Sequence, residues 1–94
     1  MERLDAEEIM KRLESNETWT LSGDSLQSTY TFGDFLGAMS FVNQVASLAE
    51  SAAHHPDMLI RWNKVTLTLT THDAGGLTEL DFNLAASIDA AVRR

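Results

Sequence analysis

Residues Met58 to Thr71 read MLIRWNKVTLTLTT, and the second half of that stretch decides the class of fold. From Val65 onward apolar and polar residues alternate without a break. Val65, Leu67 and Leu69 therefore fall on one face, and Thr66, Thr68 and Thr70 on the other. A period of two built on Val, Leu and Thr is the mark of a half-buried strand running to Thr71. Met58 to Trp62 supplies a second β-rich run, and Asn63-Lys64 is the tight connection that makes the pair a hairpin. His72 ends the second strand.

Upstream of this hairpin the period changes to three and four. Phe35, Ala38, Met39, Val42, Val45, Ala46 and Ala49 form a helical stripe from Asp34 onward, widened by Phe41 and Leu48. Pro56, the only proline, disfavours helical geometry at His55 and is expected to set the helix end. The pair His54-His55 then sits on the loop that leaves the helix. Before the helix, Thr18 to Leu21 and Leu26 to Phe32 are short β-rich runs joined by Ser22-Gly23-Asp24-Ser25, a second expected hairpin. Leu26, Tyr30 and Phe32 share its inner face, with Ser28 an imperfect match.

At the N-terminus, Asp5 and Glu8 are spaced as a capping box, and Leu4 and Ile9 as a hydrophobic staple. A helix from Ala6 to about Glu14 follows, with Ile9, Met10 and Leu13 inward. After the Asp73-Ala74-Gly75-Gly76 loop, Thr78 caps a last helix carrying Leu80, Leu84, Ile88 and Val92. The order is αββαββα. Two hairpins with helices on one face make an α+β two-layer sandwich around a four-stranded antiparallel sheet.

Composition narrows the partners. The 94 residues suit a single domain over residues 1–94. So short a chain buries only about two-thirds of its unfolded surface, which makes oligomerisation an expected source of stability. The net charge of −7 argues against direct binding of nucleic acid or an anionic membrane. Without cysteine there are no disulfides and no thiolate metal sites. The acidic, amphipathic start and the absence of a long apolar run point to a cytoplasmic protein with no membrane contact.

All 3 histidines lie between His54 and His72. Imidazole, with an unperturbed pKa of about 6.5, both gives and takes protons near neutrality. With Glu50, Asp57, Asp73 and Asp81 nearby in sequence, the cluster suits paired acid/base work. Three other readings stand beside it: a three-imidazole zinc site, histidines that only pack or face solvent, and a binding site without turnover. Adjacent histidines rarely aim at one ion, and no helical i, i+4 pair exists, so metal is not expected. Asp81 follows Thr78 by three, where a carboxylate also completes a capping box. Glu50, near the end of the central helix, stands against the helix dipole. Trp19 and Trp62 are either strand packing or walls for a flat heterocycle.

Taken together, AESAAHHPDMLIRWNKVTLTLTTHDAGGLTELD resembles the signature of the pterin-4a-carbinolamine dehydratases. Glu50, His54, His55, Pro56, Trp62, His72 and Asp81 stand at the family's spacing. Trp19, Tyr30, Phe32, Asp34-Phe35 and Phe41 resemble its upstream residues, and Gly75-Gly76-Leu77-Thr78 its glycine turn. Two departures are visible: Thr18 stands where a glycine often precedes the tryptophan, and Gln27 to Thr29 lack a basic residue.

The resemblance implies an α+β fold, dimers or tetramers, and dehydration of 4a-hydroxytetrahydropterin to quinonoid dihydropterin, recycling tetrahydropterin. No metal or organic cofactor is implied; the pterin is the substrate. His54 and His72 would transfer protons and His55 would hold the pterin. Glu50 would orient a histidine, with Asp81, Trp19, Pro56 and Trp62 as further substrate contacts. Animal members also resemble dimerisation cofactors of a homeodomain transcription factor, so a non-catalytic interaction module on the same fold is the alternative.

Overall fold

Val65, Leu67 and Leu69 are fully buried, while Thr66, Thr68 and Thr70 are half-exposed, as the alternation requires. They belong to a computed structural model that describes residues 2–92, so the expected span of 1–94 exceeds it at both ends. The elements are α1 (Ala6–Leu13), β1 (Thr20–Ser22), β2 (Ser25–Thr31), α2 (Phe35–Ala52), β3 (Asp57–Arg61), β4 (Lys64–Leu69), a 3-10 turn (His72–Ala74) and α3 (Glu79–Val92). The two hairpins join through β2 and β4 into one antiparallel sheet of order β1-β2-β4-β3. Helices cover one face. The fold is the α+β sandwich that the sequence leads one to expect.

The core lies between that sheet face and the helices. Leu26 and Tyr30 rise from β2, and Phe41, Val45 and Ala49 descend from α2. Leu84, Ala85 and Ile88 enter from α3, which packs on α2. The Phe41 ring sits 4.8 Å from that of Tyr30 and 5.0 Å from that of Phe32. Ser28, the mismatch on the inner face of β2, is buried because its hydroxyl donates to the Thr18 carbonyl at 2.7 Å. Apart from Leu59 of β3, which pairs with Thr66, the opposite sheet face is largely polar, with the Thr29 and Thr66 hydroxyls 2.8 Å apart.

Several local expectations are corrected. The β3–β4 turn consists of Trp62 and Asn63, because Lys64 already pairs with both Arg61 and Thr31. Asn63 is held there by Phe32, whose carbonyl accepts from its amide at 2.9 Å. Met10 faces solvent; Ile9 and Leu13 alone carry α1 onto the core. Asp5 accepts from the Glu8 amide, but the Glu8 side chain turns to Arg12 instead of completing the box. Phe35 and Ala46 are exposed, and Phe41 is central. Phe35 and Leu36 at the start of the 18-residue α2 are exposed, whereas Ala38 of the same turn is fully buried. Val92 is likewise exposed at the end of α3.

Candidate functional site at the end of the central helix

α2 ends before Pro56 exerts any effect. Ala53 takes the left-handed conformation, φ 53°, and its amide bonds back to the Ala49 and Glu50 carbonyls. The next amide, that of His54, also returns to Ala49 at 3.1 Å. Such a reversal turns the chain sharply, and a residue other than glycine there costs about 1–2 kcal/mol. Its consequence is that His54 points back under the helix and His55 outward. His54 is buried and His55 is exposed.

Beneath His54 lies Asp81, with no exposed surface. His54 Nε2 and Asp81 Oδ1 are 2.5 Å apart. The other carboxylate oxygen accepts from the Thr71 hydroxyl at 2.8 Å and from the Thr78 amide at 2.9 Å. Asp81 therefore does both things that its sequence position allows: it closes the capping box of α3, and it holds a histidine. Thr78 completes the box by accepting from the Leu80 amide at 3.2 Å.

His72 reaches the same region differently. β4 stops at Leu69, two residues sooner than the alternation suggests, and Thr71 pairs only with Gly76 in an isolated bridge. His72 then opens the 3-10 turn instead of ending the strand. Its side chain lines an open cleft of about 330 Å³ together with Ala53, His54, His55, Thr70, Thr71, Asp73 and Leu80. This is near the lower bound of small-molecule sites. All three histidines thus share one cleft. Glu50, on the last turns of α2, lies 2.5 Å from His55 Nε2 on the exposed rim.

The remaining expected contacts lie elsewhere. Trp19 belongs to the core: it is 2% exposed and its indole donates to Asp89 at 3.1 Å. It has no face to offer a ligand in the cleft. Trp62 stands at the tip of the β3–β4 turn, 68% exposed, in a hollow with Arg61, Asn63 and Lys64. Pro56 is half-buried between His55 and β3 and does not line the cleft. Among the described residues no group of three or more His, Asp or Glu side chains converges as a metal site would require.

Sequence reasoning passed over Thr71. A signal existed: residues 65, 67 and 69 point inward, so 71 does too, and a threonine there needs a buried partner.

The chain matches the family model for pterin 4 alpha carbinolamine dehydratase over residues 2–91. A protein of Acidobacterium capsulatum, provisionally named pterin-4-alpha-carbinolamine dehydratase, is 53% identical over 90 residues, covering 96% of this chain and 98% of its own. A Roseiflexus protein of the same provisional name is 54% identical over 87 residues, covering 93% and 94%. Among solved structures, a transcriptional coactivator/pterin dehydratase from Brucella melitensis superposes with a TM-score of 0.88. It is 34% identical, with 94% of this chain and 96% of that one covered. A pterin dehydratase-like protein identified as a RuBisCO assembly factor in the alpha-carboxysome gives 0.67 at 26% identity, over 80% and 89%. The match over nearly the whole chain and the cleft that gathers His54, His55 and His72 lead to one conclusion: this chain belongs to the pterin 4 alpha carbinolamine dehydratase family.

Proposed function

We propose that this protein is a hydro-lyase that converts 4a-hydroxytetrahydropterin to quinonoid dihydropterin. The observation that carries the reading is the convergence of His54, His55 and His72 on one open cleft. In the reaction the C4a–O bond breaks and the hydroxyl leaves as water, with a proton supplied by an imidazolium. The N5 proton passes to a neutral imidazole, and the N5 electron pair forms the C4a=N5 double bond. Protonation and deprotonation at neutral pH are what imidazoles do, each step contributing roughly 10²–10⁴-fold.

His54 and His72 are the proton-transfer pair in this proposal. His55 holds the pterin and is oriented by Glu50; Asp81 orients His54 from below. The reaction calls for no metal or organic cofactor. We further propose a cytoplasmic homodimer or homotetramer. The free edge strand β3 carries the exposed side chain of Leu59, and α2 that of Leu36, apolar surface that a small domain gains by covering.

A second reading has one point in its favour. Two structural relatives are described as a transcriptional coactivator/pterin dehydratase and as a RuBisCO assembly factor, so an interaction role on the same surface is the alternative. The deciding experiment follows the absorbance change of 4a-hydroxytetrahydropterin with the purified protein against the uncatalysed rate. Acceleration that is lost in the His54→Ala/His72→Ala double variant supports the dehydratase. No acceleration by folded protein rejects it.

A further inference from the structure

We infer that Thr78 and Thr71 form a one-way chain of hydroxyl donors ending on Asp81, and that this chain fixes His54 with its proton on Nε2, so that Nδ1 is the atom that exchanges protons in the cleft. The inference rests on reading the cleft as a proton-transfer site, and it concerns which atom acts and what holds it.

The direction of the chain follows from counting protons. The Thr71 hydroxyl has a single proton, given to Asp81 Oδ2 at 2.8 Å. In its 2.9 Å contact with Thr78, Thr71 must therefore accept, and Thr78 donates. The Thr78 oxygen in turn accepts from the Leu80 amide at 3.2 Å, which can only donate. Amide, hydroxyl and hydroxyl all point toward the carboxylate. The Thr78 amide adds a second donor on the same oxygen at 2.9 Å. Thr78 and Asp81 are fully buried and Thr71 is 8% exposed, so water does not substitute for these partners.

Oδ2 is thus committed as an acceptor twice over, and only Oδ1 faces His54 Nε2. One proton lies between them. With Oδ2 accepting from two donors, the side chain is bound as a carboxylate that accepts at Oδ1 as well, and the proton is placed on Nε2. Asp81 is then a charged acceptor and His54 a donor at Nε2.

That leaves Nδ1. Among the described residues every buried side-chain nitrogen and oxygen has a partner. No group of the described residues is bonded to Nδ1, so Nδ1 is on the accessible part of the ring, and His54 lines the cleft. Thr71 and Thr78 are positioning residues: their hydroxyl protons are spent on Asp81 and on each other, and they act through Asp81 on the ring that lines the cleft.

The test is nitrogen-15 NMR of histidine-labelled protein at about pH 8.5, well above the ordinary histidine value of about 6.5. The wild type is expected to show His54 as a single form with a proton coupled to Nε2 and a bare Nδ1. A proton on Nδ1, or an even mixture, overturns the inference. In Thr71→Val the isosteric side chain removes the donor to Asp81. The Nε2 proton should then exchange with water about 5–10-fold faster, the equivalent of one lost hydrogen bond of about 1 kcal/mol. Thr71→Ser restores the donor and the slow exchange. Wild-type exchange in Thr71→Val, or fast exchange in Thr71→Ser, removes Thr71 from the chain. If the protein dehydrates the pterin, Thr71→Val lowers kcat with KM nearly unchanged and Thr71→Ser recovers it. If it does not, the NMR result still decides the tautomer.

Discussion

Asp81 Oδ1 lies 2.5 Å from His54 Nε2, across 27 positions of sequence, and the two side chains are among the least exposed polar groups of the protein. One sits just past the left-handed end of α2 and the other in the first turn of α3. The contact therefore pins the end of one helix to the beginning of another, and it does so at the wall of the cleft. The pair bears on stability and, in the proposed dehydration, on chemistry as well, and it separates the three histidines by what each does for the fold.

Removing His54 and removing His72 should have different structural costs. His54→Ala leaves Asp81 Oδ1 without its partner, a loss of about 1–3 kcal/mol. His72 is exposed, and His72→Ala should stay within about 0.5 kcal/mol of the wild type. Both variants should lower dehydration by roughly 10²–10⁴-fold. Urea denaturation beside the dehydration rate reads both effects. Equal stability of the two variants would contradict the buried pairing.

Asp81→Asn is the more informative change at the other end of the contact. An amide has one oxygen, and the Thr71 hydroxyl and the Thr78 amide both need it. The NH₂ group then faces His54 Nε2 and donates to it, which moves the ring proton to Nδ1. The fold should survive with a loss of about 1–2 kcal/mol, while turnover falls about 10²-fold or more because Nδ1, still the nitrogen that faces the cleft, now carries the proton. A fully active Asp81→Asn protein would show that the tautomer is immaterial.

How much of this was legible in the residues depended on the range of the interaction. The strand pattern of β4, the stripe of α2 and the capping pair Thr78–Asp81 are local, and local periodicity reports them well. The turn at Trp62-Asn63 was misplaced by one residue because ladder pairing of Lys64, a long-range contact, decides where the strand begins. Phe35 matches the α2 stripe yet is exposed, since a period gives a helix face and not which residues of that face meet the sheet.

The site was legible as a set of residues more than as an arrangement. Spacing brings His54, His55 and His72 to attention, but not that one is buried and another exposed; the left-handed Ala53 causes that division. Trp19 can be read as a heterocycle wall or as packing, and nothing local in the sequence announces its burial or its contact with Asp89 on α3. Thr71 hid in a run of threonines where parity alone distinguished it.

The Arg12–Glu79 pair should make stability depend on pH in a defined window. Arg12, on α1, forks onto both oxygens of Glu79 at the start of α3 and also donates to Glu8 at 3.0 Å. The Glu79 carboxyl is held below its ordinary 4.5, first by the side-chain hydrogen bonds from Arg12, and the guanidinium is pushed up by the same partners. A carboxyl with a lowered folded pKa contributes stability that is complete above its unfolded value and lost as pH falls through the folded one. Melting temperature should therefore drop below about pH 4.5 with a smaller slope in Glu79→Gln than in the wild type. Added salt should shrink the difference, because the pair is partly exposed. Parallel curves for the two proteins would mean that the fork contributes nothing.

Asp89 supports the far end of the core, and its removal should be felt there and not in the cleft. Its two oxygens accept from the Tyr30 hydroxyl at 2.7 Å and the Trp19 indole at 3.1 Å, joining α3 to the sheet. Burial and then the hydrogen bond to Asp89 push the Tyr30 phenol well above its ordinary 10.0, so it remains a donor throughout the physiological range. Asp89→Ala leaves both donors unpaired in or beside the core and should cost about 1–3 kcal/mol. Tyr30→Phe removes only one donor and leaves Trp19 on the carboxylate, so it should cost less, about 1 kcal/mol. Tryptophan fluorescence reports the difference at its source, since Trp19 is buried and Trp62 exposed. The blue-shifted part of the emission should move on Asp89→Ala while the solvent-exposed part stays. Turnover at 25 °C should be unchanged in both variants, because Trp19 and Asp89 lie outside the cleft. A selective loss of turnover in folded Asp89→Ala would return Trp19 to the site.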